Sequence, residues 1–312
     1  MPSRLARLKR LFVTGGHGFV GQWTQRLGPE IARRHGYEIA VPPLDFELLD
    51  PSQVDVQLAS IRPDAVLHLA AQSNVPQSFR DPEATLRVNI VGTLRLFEGL
   101  RRNGLSPRVV YVSTGDVYGL VPEEDLPVCE GHPLHPRNPY AVSKVAAEAL
   151  CYQWSRTDGL EVAIARPFNH VGAGQSATFA LPNFARQIAM IATGLQAPVI
   201  EVGDIDVRRD FLHVSDVIEA YLILLERAEP GGIYNICSGS DHRLRDLLHR
   251  LQELAGTHAK VRQDETRLRP AEQRVARGNP DRLRALGWKP SVPMDVALEE
   301  ILVDWKSRVG TP

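Results

Sequence analysis

Glycines at 15, 18 and 21 stand directly after the apolar run LFVT, and they constrain this chain more than anything else in it. A buried strand that enters a glycine-rich turn and leaves it as a helix belongs to few architectures. The turn brings backbone amides and the positive end of a helix to one point, where a pyrophosphate can be held. Glycine lets the backbone approach that group closely and take positive φ. The GxxGxxG spacing in TGGHGFVG therefore predicts dinucleotide binding at Gly15, Gly18, Phe19, Val20 and Gly21. An acidic residue is expected after the second strand to hold an adenosine ribose. Val41-Pro42-Pro43-Leu44 occupies that place, Asp45 arrives late, and no arginine stands beside it for a 2′-phosphate. The cofactor is expected to be NADPH or NADH, with the choice between them left open.

The rest of the first half repeats a strand–helix rhythm. Strands are predicted at Arg10–Thr14, Tyr37–Val41, Ala65–Leu69, Arg108–Ser113 and Glu161–Ala165. One long helical pattern runs from Pro82 to Asn103, and another from Tyr140 to about Arg156. The alternation predicts an α/β fold with a Rossmann-type, doubly wound parallel sheet. Beyond Arg166 the rhythm changes and Pro- and Gly-rich joints multiply. We expect residues 1–166 to form the dinucleotide-binding domain, with returning segments at about 205–237. A smaller C-terminal substrate lobe is expected from 167–204 and 238–312.

Tyr140 and Lys144 lie four residues apart in NPYAVSKVAAEAL, so a helix places both on one face. Asn138 is a good N-cap and Pro139 a good first helical residue. A nearby ammonium favours phenolate, which predicts a tyrosine tuned to exchange a proton near neutral pH. Only five lysines occur against 31 arginines, so this spacing carries more weight than it would in a lysine-rich chain.

Composition removes several function classes. A formal net charge of -1 and scattered arginines argue against a nucleic-acid surface. No apolar run is long enough to predict a membrane span, and the basic N-terminus MPSRLARLKR is not followed by a signal-peptide core. Cys129, Cys151 and Cys237 show no metal spacing, and histidines and carboxylates do not gather at ligand distances in sequence, so no metal is expected. The cysteine usage fits a reducing, cytoplasmic setting.

In order, TGGHGFVG, HLAAQS, VSTGDVYG and Tyr140-x-x-x-Lys144 resemble the motifs of the extended short-chain dehydrogenase/reductase family. The resemblance implies a catalytic set of Thr114, Tyr140 and Lys144. It places Leu69, Ala70 and Ala71 beside the cofactor and matches Asn89 to an asparagine that props the active site. It also implies a homodimer, through the helices near 83–102 and 140–156. RPFNHVGAGQ, GDIDVRRDFLHVSDV and RLRPAEQ look like the GDP-mannose 4,6-dehydratase branch and its partner reductases. On that likeness Asn169, Arg209, Arg269 and Glu272 match nucleotide-sugar positions, and Ser78 a loop that borders the sugar. Arginine forks suit a diphosphate, and a carboxylate can accept from a ribose.

One position separates the two activities of that branch. Dehydratases carry a glutamate two residues after the catalytic threonine, where this chain has Asp116. A base withdrawn by roughly 1 Å can lose ~100-fold. The resemblance therefore implies NAD(P)H-dependent reduction of the 4-keto group of GDP-4-keto-6-deoxy-D-mannose to GDP-D-rhamnose. The alternatives are a GDP-mannose 4,6-dehydratase, a reductase or epimerase of another nucleotide sugar, and a dinucleotide-sensing protein with an idle site.

Overall fold

The computed structural model describes residues 7–267 and 273–310. In chain order its strands are β1 (Lys9–Thr14), β2 (Tyr37–Ala40), β3 (Ala65–His68), β4 (Arg108–Val112), β5 (Val162–Pro167), β6 (Asn169–Val171), β7 (Val199–Val202), β8 (Arg208–Arg209), β9 (Phe211–His213), β10 (Ile233–Ile236), β11 (His242–Arg243), β12 (Lys260–Gln263) and β13 (Val275–Ala276). The helices are α1 (Phe19–Arg26), α2 (Gly28–His35), α3 (Pro51–Ile61), α4 (Val75–Arg80), α5 (Pro82–Leu86), α6 (Gly92–Arg102), α7 (Pro139–Thr157), α8 (Ala180–Ala192), α9 (Val214–Arg227), α10 (Leu244–Ala255), α11 (Asp281–Ala285) and α12 (Met294–Gly310).

Six strands make one sheet in the order β10-β5-β4-β3-β1-β2, and every pairing in it is parallel. Parallel strands are buried on both faces, and these strands show why. In β1, Leu11 and Val13 join one core with residues of α9, while Phe12 points to the other face. Val66, Val109, Tyr111, Val162 and Ile164 follow Phe12, among residues of α3, α6 and α7. The period of two thus feeds two hydrophobic cores from one run of apolar residues. A third core lies under α8, α10 and α12, beside the short sheets β7–β12 and β6–β9.

The long helix predicted from Pro82 to Asn103 is broken. Residues Arg87–Val91 form a π-helical turn between α5 and α6. Such a turn widens the helix by one residue and is frequent at functional sites. Here it carries Asn89, which is buried.

Candidate active site

The glycine turn is built as the sequence requires. Gly15 has φ +70°, and a Cβ there would lie 2.7 Å from the Ala70 nitrogen. A Cβ on Gly21 would lie 2.4 Å from the Gly15 oxygen, so α1 is pressed onto the turn. At Gly18 the nearest atom to a Cβ would be the Gly15 oxygen at 3.3 Å. Gly18 caps α1 without a side-chain hydrogen bond, and no acidic residue occupies the first turn. The amides of Phe19, Val20 and Gly21 open a helix end of positive potential with no carboxylate to cancel it. This cradle fits a dinucleotide pyrophosphate. Leu69, Ala70 and Ala71 follow β3 against it, with the Ala70 amide donating to Thr14 Oγ1 at 3.2 Å.

Tyr140 stands in the first turn of α7. Asn138 accepts from the Ala141 amide at 2.7 Å and Pro139 opens the helix, so the predicted cap is present. Thr114 follows β4 and caps the short 3-10 turn Gly115–Tyr118, its hydroxyl accepting from the Asp116 amide at 3.2 Å. Thr114 also hydrogen-bonds the Tyr140 hydroxyl. Lys144, one turn along α7, is buried and donates to the Val112 carbonyl at 2.7 Å. Its ammonium lies 4.9 Å from the Tyr111 ring centre and 5.9 Å from that of Tyr140.

The electrostatics correct one expectation. The Tyr140 phenol is raised above its ordinary pKa, not lowered. Burial is the main cause and the Asp116 carboxylate adds to it, while the Thr114 hydrogen bond pulls the other way. Desolvation of the phenolate outweighs any help from the ammonium. Burial also brings Lys144 down to about 8, against the opposing pull of Cys151 and Glu148.

The remaining predicted residues are less concentrated. Asn169 is half-buried in β6 and donates to the Asp210 carbonyl at 3.3 Å. Arg209 lies in β8 and donates to the carbonyls of Arg208 and Gln273 at 2.9 and 2.8 Å. Ser78 is fully enclosed, its hydroxyl donating to the Val75 carbonyl at 2.7 Å; the exposed neighbour is Phe79. The Ser78 hydroxyl is thus turned to the backbone of its own helix, α4. Arg269 and Glu272 lie outside the described residues.

One buried ion pair escaped the sequence reading. Glu148, one turn beyond Lys144, makes a two-pronged pair with Arg166 at 3.0 and 2.6 Å. Its Oε1 also accepts a short hydrogen bond from Ser113, the neighbour of Thr114. Arg166 donates further to Tyr118 Oη at 3.0 Å and to the Glu130 carbonyl at 3.1 Å. The only signal in the sequence was the i, i+4 spacing from Lys144. Asn89, which the resemblance had singled out, has an amide that brackets the backbone of Gln72 at 2.8 and 3.0 Å and donates to Ser143 Oγ at 2.8 Å.

The family model for GDP-mannose 4,6 dehydratase matches residues 33–301. GDP-6-deoxy-D-mannose reductase of Pseudomonas aeruginosa is 49% identical over 303 residues, covering 96% of this chain and 98% of its own. GDP-mannose 4,6-dehydratase of Vibrio cholerae is 31% identical, over 82% of this chain and 76% of its own. Among solved structures, the NADPH complex of RMD from Pseudomonas aeruginosa superposes with a TM-score of 0.89 at 48% identity, covering 96% and 99% of the two chains. UDP-glucose 4-epimerase of Thermus thermophilus with NAD gives 0.83 at 31%, covering 95% and 98%. The parallel sheet, the glycine cradle and the Thr114–Tyr140–Lys144 cluster thus come together with a likeness running nearly end to end, and the chain belongs to the GDP-mannose 4,6-dehydratase family of extended short-chain dehydrogenases/reductases.

Proposed function

We propose that this protein reduces the 4-keto group of GDP-4-keto-6-deoxy-D-mannose to GDP-D-rhamnose, using NADPH or NADH. The observation that carries the reading is the 49% identity, over 96% of the chain, to a GDP-6-deoxy-D-mannose reductase. A reduced nicotinamide, when bound, supplies the hydride that reaches carbon 4 of the sugar. The carbonyl electron pair then becomes an alkoxide, which must take a proton. Tyr140 gives it. A phenol held above its ordinary pKa stays protonated at neutral pH, which suits an acid better than a base. Thr114 donates to the same oxygen as its charge grows. Lys144 is charged at neutral pH, and its ammonium, held by the Val112 carbonyl, lies 5.9 Å from the ring centre of Tyr140. Gly15 to Gly21, with Leu69, Ala70 and Ala71, hold the dinucleotide. Asn169, Arg209, Arg269 and Glu272 are proposed to hold the GDP-sugar.

Asp116 supports reduction over elimination. It is exposed, and its charge raises the Tyr140 phenol. The test is direct. GDP-4-keto-6-deoxy-mannose with NADPH should yield GDP-D-rhamnose, identified by NMR. GDP-mannose with a catalytic amount of oxidised cofactor should yield no keto sugar; formation of keto sugar would make the protein a dehydratase. We also propose a homodimer through α6 and α7, where Val142 and Tyr152 are 44% and 54% exposed. Light scattering at a monomer mass would reject it. A cytoplasmic location fits the proposed ligands; among the described residues no helix is long and apolar enough to cross a membrane.

A further inference from the structure

We propose that His68 is a positioning residue that ties the cofactor turn to the catalytic helix through one continuous chain of buried hydrogen bonds. The inference rests on the reading of Tyr140 as the proton donor. His68 closes β3, directly opposite Thr14 of β1 in the sheet register. Its Nδ1 lies 2.6 Å from Thr14 Oγ1, and its Nε2 lies 3.0 Å from Thr93 Oγ1. All three side chains are buried.

Counting protons fixes every direction in this chain. The Thr93 hydroxyl has one proton, which goes to the Asn89 carbonyl at 2.7 Å. Thr93 must therefore accept from His68, so the proton of the neutral ring sits on Nε2. Nδ1 is then an acceptor, and Thr14 donates to it. The oxygen of Thr14 in turn accepts from the Ala70 amide. On the far side, Asn89 Nδ2 donates to Ser143 Oγ, and Ser143 donates to the Tyr140 carbonyl at 2.6 Å. The path runs from Ala70 to Tyr140 without a gap. At one end Ala70 presses on Gly15, where there is no room for a Cβ. At the other end is the first turn of the helix that bears the phenol. The ring of His68 also packs 5.8 Å from that of Tyr111, over which Lys144 sits.

A protonated imidazole would donate from both nitrogens and set Nδ1 against Thr14. Burial, and then the charge of Lys144, keep the ring neutral, with its pKa pulled down to about 3. The chain has a single proton arrangement over the working range of the enzyme. Breaking it at His68 leaves Thr14 and Thr93 with unmatched groups and frees the two ends from each other.

The experiment uses the full chain. In nitrogen-15 histidine NMR, His68 should show a protonated Nε2 and a bare Nδ1, unchanged between about pH 5 and 8, where ordinary histidines titrate. The opposite tautomer, or titration in that window, overturns the proposal. His68→Leu and the isosteric Thr93→Val should each weaken NADPH binding, read by cofactor fluorescence, by roughly tenfold, and lower kcat by a similar factor. His68→Gln, which keeps one donor and one acceptor, should recover part of both. Thr93→Val decides the matter where His68→Leu does not fold. A lower melting temperature with unchanged NADPH affinity and unchanged kcat means a merely structural histidine and overturns the proposal. The tautomer and NADPH affinity are measured without sugar, so a wrong substrate assignment would leave both results standing.

Discussion

Glu148→Gln isolates the charge of one buried carboxylate. The change keeps the shape of the side chain, and its oxygen can still accept from Ser113 or Arg166. It removes the negative charge that faces a guanidinium only 2% exposed, and it sets an amide N–H against a donor now 2.6 Å away. Breaking a buried pair by neutralising one member typically costs ~3–5 kcal/mol. Arg166 retains its bonds to Tyr118 Oη and the Glu130 carbonyl. We therefore expect the low end, ~3 kcal/mol, a large share of a typical stability of ~5–15 kcal/mol. Urea unfolding would be followed by circular dichroism and by tryptophan fluorescence, since Trp154 lies on the same helix. Coincident transitions with an unchanged m-value make the difference in midpoint a stability difference. Glu148 also raises Lys144, so its loss should move the alkaline limb of the rate profile to lower pH. A loss below ~1 kcal/mol, the range of an exposed pair, would refute the view that this carboxylate is the indispensable partner of Arg166.

Other outcomes follow from the site. Tyr140→Phe should lower turnover by ~100-fold or more with NADPH affinity unchanged; wild-type turnover would remove Tyr140 from the chemistry. Gly21→Ala drives a methyl into the backbone of Gly15 and Gly16 and should lower both melting temperature and NADPH affinity, whereas Gly18→Ala, whose methyl meets only the Gly15 oxygen at 3.3 Å, should lower affinity with a smaller loss of melting temperature. Because the free enzyme loses the Lys144 proton near pH 8, kcat/KM should fall as pH rises through that value, and Lys144→Arg should abolish that limb. The stability effect of Lys144 has the opposite sign: between about pH 8 and its ordinary 10.5 the unfolded chain binds the extra proton, so folding gains as pH rises, a gain that Lys144→Met should remove. Arg209→Ala should raise KM for the GDP-sugar by roughly 10- to 150-fold and leave NADPH affinity alone; an unchanged KM places the diphosphate elsewhere.

The parts of the site legible in sequence were those built by neighbours. The glycine turn, the Asn138–Pro139 helix start and the Tyr140–Lys144 face each depend on a few consecutive residues. The parts that were not legible depend on distant ones. The π-helical turn at Arg87–Val91 has no local signature, and it turns Asn89 toward Ser143, 54 residues away. Thr14 and His68 are also 54 apart and meet only because β1 and β3 are neighbours. The Tyr140 phenol was misread for a related reason. Spacing reveals a nearby ammonium, but burial, which decided the shift, is a property of the whole fold.

The far edge of the main sheet is β10, which pairs with β5 after about 65 intervening residues. This order has a consequence for synthesis of the chain. When β5 has left the ribosome, its outer edge still lacks a partner. The α9 residues that cover one face of the sheet, among them Val217, Tyr221 and Leu222, have not yet been made. At roughly 5–20 residues per second, the nascent sheet waits several seconds with an open apolar edge. The Tyr118 hydroxyl waits as well, because Asn235, to which it donates, arrives with β10. Unpaired edges of this kind recruit other chains. A slow stretch of codons before β10 should therefore increase aggregation of this protein, and one placed far enough beyond Ile236 for β10 to have left the ribosome should leave its yield unchanged.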